Sequence, residues 1–321
     1  MKTLSELTDF YYNNLFPVLE ELEKQRKAIK QKFIFITIVL ISSFFTIFLL
    51  FFSQNIHTME FLLTTISITI AILTYIYKKL SSNFVEDFKN NIIGPLIKNI
   101  GPNLNYLKNK HVKQNLFERS KIFTSNIDKY EGNDYVYGQV DGVKIELSDI
   151  CAQKKYQDDN NRKSWETIFE GIFIIAAFNK EFKSNTVILP DHAQNVFGSV
   201  VGNWLQANNV SRDSLTKLDD PEFEKEFVVY SQDQIEARYI LTHSFMRRIL
   251  EFQKKSKQKI HISFIKNHIH IAISYNKDLF EPSIFRSLLE YKISMEYVQT
   301  LHLCLGVVEE LKLNHKLWSK R

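Results

Sequence analysis

Three histidines offer the first possible chemistry. The stretch KIHISFI-KN-HIHIAIS alternates apolar and polar residues, and a two-residue turn at Lys266 and Asn267 pairs its halves so that His261, Ser263, His268 and His270 share one sheet face. Imidazoles two apart on a strand can share a metal ion. The pairing brings no cysteine or carboxylate beside them, so the face reads as solvated polar surface, with His261, His268 and His270 as weak metal candidates. A second group, Asp219, Asp220 and Glu222 around Pro221, has the residue types for acid–base or cation chemistry. Asp-Asp-Pro-Glu is also a common turn and helix start, in which the side chains accept from free backbone donors, and that is the simpler reading. Asp191 followed by His192 is a fragment of a hydrolase triad, but no G-x-S-x-G elbow supplies a nucleophile. Nine glycines in the whole chain leave little room for a phosphate-binding loop. The sequence therefore nominates no catalytic residue and no cofactor.

The elements that must position these residues follow from periodicity. In the histidine hairpin Ile260, Ile262, Phe264, Ile269, Ile271 and Ile273 occupy the other face, which must be core. A helix from about Ser244 to Lys254 precedes it, carrying Phe245, Ile249 and Phe252. Further upstream, DYVYGQV-DG-VKIELSDI contains Asp141-Gly142, a strong signal for a type I′ hairpin. Pairing Val140 with Val143 puts Val136, Val140, Val143, Ile145 and Leu147 on one face and Tyr135, Tyr137, Gln139, Lys144 and Glu146 on the other. The segment QKKYQDDNNRKS reads as a polar loop. Ile168 to Phe178 is apolar on both alternating faces, as expected of a central strand covered on two sides. Short strands are expected from Thr186 and at Phe227 to Tyr230. A final helix bearing Val298, Leu301, Cys304, Leu305, Val308 and Leu311 should pack across the sheet.

Before all of this stands a long apolar region. Phe33 to Phe52 contains no charged residue and is dominated by Ile, Leu, Val and Phe. A helix needs about 20 residues to cross the hydrocarbon, and each large aliphatic residue contributes roughly −0.3 to −0.6 kcal/mol to insertion. A second run, Phe61 to Tyr77, is richer in Thr and Ser and uses Met59 at its start and Tyr75 and Tyr77 as interface anchors. The two form a membrane hairpin. Lys24, Arg26, Lys27, Lys30 and Lys32 precede it, Lys78 and Lys79 follow it, and Ser53 to Glu60 has neither Lys nor Arg, so both termini should be cytoplasmic. The first run is too long and too late for a secretory signal. Neither run contains an ionisable residue, which argues against a transporter.

Flanking the hairpin, Leu4, Leu7, Tyr11, Leu15, Val18, Leu19 and Leu22 recur at helical spacing with a break or kink expected at Pro17. Phe84, Phe88, Ile92, Leu96 and Ile100 form a matching stripe, interrupted at Gly94-Pro95 and stopped by Gly101-Pro102. These two stripes bury each other as an antiparallel stalk. The fold class is α+β: a helical stalk with a two-helix transmembrane hairpin, then a mixed, mainly antiparallel sheet domain with a helix between strands and a C-terminal helix. The expected divisions are 1–32, a cytoplasmic amphipathic helix; 33–77, the hairpin (33–52 and 59–77); 78–114, the stalk helix and connector; and 115–321, a soluble domain.

The formal net charge of +5 is mild and suits an anionic membrane leaflet better than a nucleic-acid groove. Cys151 and Cys304 are too few for a disulfide framework or a metal knuckle, in keeping with a reducing compartment.

NDYVYGQVDGVKIELSDI, FEGIFIIAAFNKEFKSNTVILPD and DPEFEKEFVVYSQDQIEARYILTHSFMRRILEF together make the chain resemble a bacterial family of two-span membrane proteins, domain of unknown function family 3137, whose members sometimes carry the unrelated label "galanin". His243 stands where the family pattern has proline. The resemblance implies a membrane-anchored domain in the bacterial inner membrane with no established activity, and suggests a LemA-type membrane protein as partner alongside the lipid bilayer. Three readings stay open: a cytoplasmic-facing binding or scaffold module, favoured; a membrane-bound enzyme of unfamiliar type; and a homo-oligomeric pore built on the hydroxyl-rich second run.

Overall fold

The computed structural model describes residues 2–52, 58–157, 161, 163–178, 181–191, 214–275 and 278–313. The chain divides into two compact units. One comprises Met1–Leu4, Ile97–Leu279 and Val298–Arg321, and the other Ser5–Leu96 and Phe280–Tyr297.

The second unit is helical. Helices α1 (Leu4–Phe10) and α2 (Phe16–Phe52) are joined through a π turn at Tyr11–Leu15, and α3 (Thr58–Phe88) continues through a π turn at Lys89–Ile93 into α4 (Gly94–Ile100). Each π turn lies just before a proline. The carbonyls four residues before Pro17 and Pro95 belong to Asn13 and Asn91, both inside the π turns. A proline removes a donor and crowds that carbonyl, and widening the helix by one residue there relieves both effects. The ladder resumes through bonds five residues apart, Phe16 N–H to the Tyr11 carbonyl and Gly94 N–H to the Lys89 carbonyl. The break expected at Pro17 and the interruption expected at Gly94-Pro95 are thus absorbed within helices that carry on.

Leu7, Tyr11, Leu15, Leu19 and Leu22 are buried, as are Phe84, Phe88, Ile92 and Leu96. Leu4–Leu49 and Leu62–Ile100 are each long and apolar enough to cross a membrane. Their apolar side chains face outward: Phe35, Ile38, Ile41, Phe45, Ile68 and Ile70 are all exposed. Exposed apolar surface of this extent is what lipid, and not water, accommodates.

The unit also contains a segment that periodicity assigned elsewhere. Residues 280–290, with the first residues of α9 (Tyr291–Leu305), run along α1 and α2, burying Phe280, Ile284, Leu288 and Met295. A buried ion pair holds them. Arg26 grips Glu23 with two bonds, Nε to Oε2 at 2.8 Å and Nη2 to Oε1 at 2.7 Å, and donates through Nη1 to the Ile284 carbonyl at 2.5 Å. Glu23 then accepts from the Leu288 N–H at 3.0 Å and from Ser287 Oγ at 3.1 Å. Burial alone would raise the Glu23 carboxyl, but the Arg26 guanidinium and the Leu288 and Ser287 donors outweigh it and hold the group below the usual carboxylate range. Arg26, one of the basic residues that precede the first apolar run, is buried in this pair. Lys89 is likewise buried, 3.3 Å from Glu281.

The first unit is built on a sheet that, among the described residues, has nine strands: β1 (Leu104–Leu107), β2 (Lys129–Val140), β3 (Val143–Gln157), β4 (Lys163–Ala177), β5 (Thr186–Pro190), β6 (Ser214–Leu215), β7 (Phe227–Ser231), β8 (Ile260–Ile265) and β9 (His268–Ser274). Their order is β1-β2-β3-β4-β9-β8-β5-β7-β6, with antiparallel pairing throughout. Val140 pairs with Val143 across Asp141 and Gly142, whose φ values of 48° and 82° are the positive pair a type I′ turn needs. The central β4 is buried on both faces. On one side lie α5 (Gln114–Arg119) and the chain that follows it, whose Phe117, Ile122 and Phe123 join Ile150, Phe169, Phe173 and Ala272 in a continuous core. On the other, α8 (His243–Ser256), which follows the short α7 (Gln234–Ile240), sets Phe245 edge-on against Phe264 at 5.9 Å, and Val298, Leu301, Cys304 and Leu305 of α9 are fully buried.

Two expectations are corrected. The polar segment QKKYQDDNNRKS is mostly strand: β3 extends to Gln157 and β4 begins at Lys163, with Lys155 opposite Trp165 and its ammonium 5.5 Å from the indole centroid. A two-stranded ribbon wet on both faces lacks the apolar alternation that marks a strand in sequence. The histidine face is not solvated either. Ile260 pairs with Ile273 and Ile262 with Ile271, in the expected register, but Ser263 and Ala272 are fully buried and His270 nearly so, because the α5 layer covers this face.

Two outcomes follow from this packing. Arg26→Ala leaves Glu23 buried without its cation, a loss of about 3–5 kcal/mol. The variant should unfold at lower temperature and lose hydrogen-exchange protection at the Leu288 amide, whereas Glu23→Gln with Arg26→Met should do so less. Ile271→Asp places a charge in a fully buried position of β9 and should abolish the cooperative melt of the sheet unit.

Candidate functional site

The carboxylates around Pro221 are brought to structural work. Asp220, 1% exposed, caps α6 (Pro221–Glu226): its Oδ1 accepts from the N–H groups of Glu222 at 3.1 Å and Phe223 at 3.2 Å. Its Oδ2 lies 3.1 Å from His243 Nδ1 and 3.5 Å from Arg247 Nε on the first turns of α8. Glu222 pairs with Arg247 and, at 3.3 Å, with Lys254. Hydrogen bonds from Arg247 and then Lys254 hold its carboxyl below the usual range. Asp219 is exposed. One buried aspartate thus fastens the start of α6 to the start of α8. A buried aspartate beside a histidine has the form of a general base, but the His243 side chain is 71% exposed. The partnership itself escaped the sequence, because nothing local connects Asp220 to His243.

The histidines are only partly gathered. His268 and His270 have ring centroids 6.2 Å apart, while His261 lies against Phe123 at 5.3 Å. His270 packs on Phe173 at 6.2 Å, with Ser263 Oγ 3.4 Å from its Nδ1. Burial, then the neighbouring His268, pushes the His270 imidazole down to about 4, and burial also lowers His268. Among the described residues no group of three His, Cys, Asp or Glu side chains is placed to hold a metal ion. Asp191 directly follows β5, and His192 lies outside the described residues. Cys304 is buried, which pushes its thiol up.

A cleft of about 690 Å³ opens on the α5 side of the sheet. Its floor is Val187 and Tyr230, direct cross-strand partners on β5 and β7. Its wall is the chain leaving α5. Lys121, at φ 53°, turns that chain out of the helix, and Phe123 pins it by stacking on Phe117 at 5.3 Å and leaning on Phe169 at 5.1 Å. Thr124, Ser125 and Asn126 then line the cleft with hydrogen-bonding groups, Ile127 adds apolar surface, and Glu118, Lys121 and Gln232 complete the lining. A concave site of this size, with an apolar floor and polar walls, fits a ligand or peptide segment that is apolar on one side and polar on the other. Nothing local in KIFTSNIDKY marks this wall, since the segment has neither period and its role depends on β5 and β7 lying beneath it.

The His270 environment sets a pH dependence. Its folded value of about 4 lies below the unfolded 6.5, so between these limits the unfolded chain binds more protons and stability rises with pH. The contribution is complete above pH 6.5 and declines by roughly 3 kcal/mol as pH drops to 4. Melting of the full chain across this range should show that slope, and His270→Gln should flatten it.

No curated protein matches the chain. Among solved structures it is similar to the crystal structure of the mycobacterial trehalose monomycolate transport factor A, TtfA, at 12% identity, covering 66% of this chain and 93% of that one with a TM-score of 0.31. A likeness that low carries no argument about fold or function. A family model described as Protein of unknown function (DUF3137) matches residues 167–313, which hold β4, the strands and helices after it, and the C-terminal helices. Over those residues the chain is similar to the DUF3137 family.

Proposed function

We propose that the protein is a membrane-anchored binding module: the hairpin crosses the bacterial inner membrane with both termini cytoplasmic, and the sheet unit takes a partner or ligand into the cleft over Val187 and Tyr230. The observation that carries this reading is the cleft, built from a rigid strand pair and a wall held by stacked aromatics. Its lining offers shape, apolar surface and hydrogen bonds, the means of recognition. The clustered carboxylates, by contrast, are committed to a helix cap and ion pairs. Lys24, Lys27, Lys32, Lys78 and Lys79, all exposed beside the apolar runs, support the orientation. The family resemblance makes a LemA-type membrane protein the first partner to seek.

A photo-crosslinking residue at Asn126, in the cleft wall, should give a discrete adduct in native membranes, and the same residue at Lys144, exposed on β3 beside the Asp141-Gly142 turn, should not. Equal capture at both positions would remove the cleft from the proposal. Orientation is read separately: a cysteine at Asn55 should react with an impermeant reagent from outside the cell only.

A further inference from the structure

Phe285 is 52% exposed yet held in place. Its ring stacks on Tyr77 with centroids 6.2 Å apart and meets Phe33 edge-on at 5.9 Å, while Phe33 and Tyr77 meet each other at 5.6 Å. Phe33 opens the first apolar run and Tyr77 closes the second. The third ring therefore sits at the level where both helices become apolar. The backbone on either side is fixed, with the Ile284 carbonyl bound by Arg26 and the Leu288 N–H by Glu23. Ile284 and Leu288 turn inward and are buried, whereas Phe285, Arg286 and Leu289 turn outward.

The charges around this site match a lipid surface. Lys32 immediately precedes Phe33, Lys78 and Lys79 immediately follow Tyr77, and all three are exposed, as is Arg286 in the loop itself. Glu290 closes the loop and is exposed too. Aromatic rings favour the headgroup level of a bilayer, and cations beside them attract anionic lipid. In water the arrangement would leave two large apolar side chains exposed on a loop rigid enough to have buried them.

We propose that the Ser283–Glu290 loop is a third membrane contact: Phe285 and Leu289 enter the headgroup–acyl boundary of the leaflet from which the two helices emerge, and Arg286, with Lys78 and Lys79, engages anionic headgroups. The proposal rests on the hairpin crossing the bilayer. It makes the loop, far along the chain from the hairpin, part of the membrane-bound surface.

The test uses the full chain in nanodiscs of phosphatidylcholine and phosphatidylglycerol, with Cys151→Ser to remove the accessible thiol and Cys304 left in the core. A nitroxide is attached in turn at Phe285→Cys, Phe45→Cys within the first run, and Lys24→Cys on the same helix before it. Oxygen should relax the label more than a water-soluble nickel chelate at position 45, less strongly but still in excess at 285, and the order should reverse at 24. A label at 285 that behaves like that at 24, with position 45 still deep, would overturn the loop contact and leave the hairpin standing. Water-like behaviour at 45 as well would overturn the hairpin itself. In discs of phosphatidylcholine alone the label at 285 should shift toward water, and no shift would overturn the part assigned to anionic headgroups.

Discussion

Taking a carboxylate out of water costs several kcal/mol unless its oxygens are satisfied by charge and hydrogen bonds together. Glu23 is buried under that constraint, and its partners come from two distant parts of the chain: Arg26 one turn away on the same helix, and Ser287 and Leu288 from the C-terminal third. The helical unit therefore cannot be completed by the N-terminal residues alone. Residues 280–297 are a structural part of it, and their departure from the sheet unit is what places Phe285 beside Phe33 and Tyr77.

The two π turns belong to the same logic. Each leaves its helix unbroken across a proline, so that Leu7 to Leu22 and Phe84 to Leu96 present continuous buried stripes. A true break at either proline would rotate one half of a stripe out of register with the other. Widening by one residue keeps the backbone bonded and restores the ladder on the far side.

In the sheet unit the governing fact is that β4 and β9 are covered on both faces. That cover turns His270 and Ser263 inward and leaves the imidazole neutral over the ordinary pH range. It also sets where the cleft lies. Over β4 and β9 the α5 layer is packed solid with Phe117, Phe123, Phe169 and Phe173, and where it passes over β5 and β7 a cleft opens.

Short-range pattern alone determined much of this protein. The Asp141-Gly142 turn, the Lys266-Asn267 turn with its register, the apolar runs and the doubly buried β4 were all legible, because each follows from side-chain period or turn stereochemistry among near neighbours. Two of the three phrases that carried the family resemblance, those at 169–191 and 220–252, fall within the residues that the DUF3137 model matches. The polar ribbon of β3 and β4 was not, since its stability comes from cross-strand pairs such as Lys155 with Trp165 and not from an apolar face. Nor were the Asp220–His243 contact, the burial of Arg26, the cover over the histidines or the cleft wall. Each of these depends on which distant segment arrives against a given residue. Periodicity states which face of an element is apolar, and only the assembled tertiary structure decides what lies upon it.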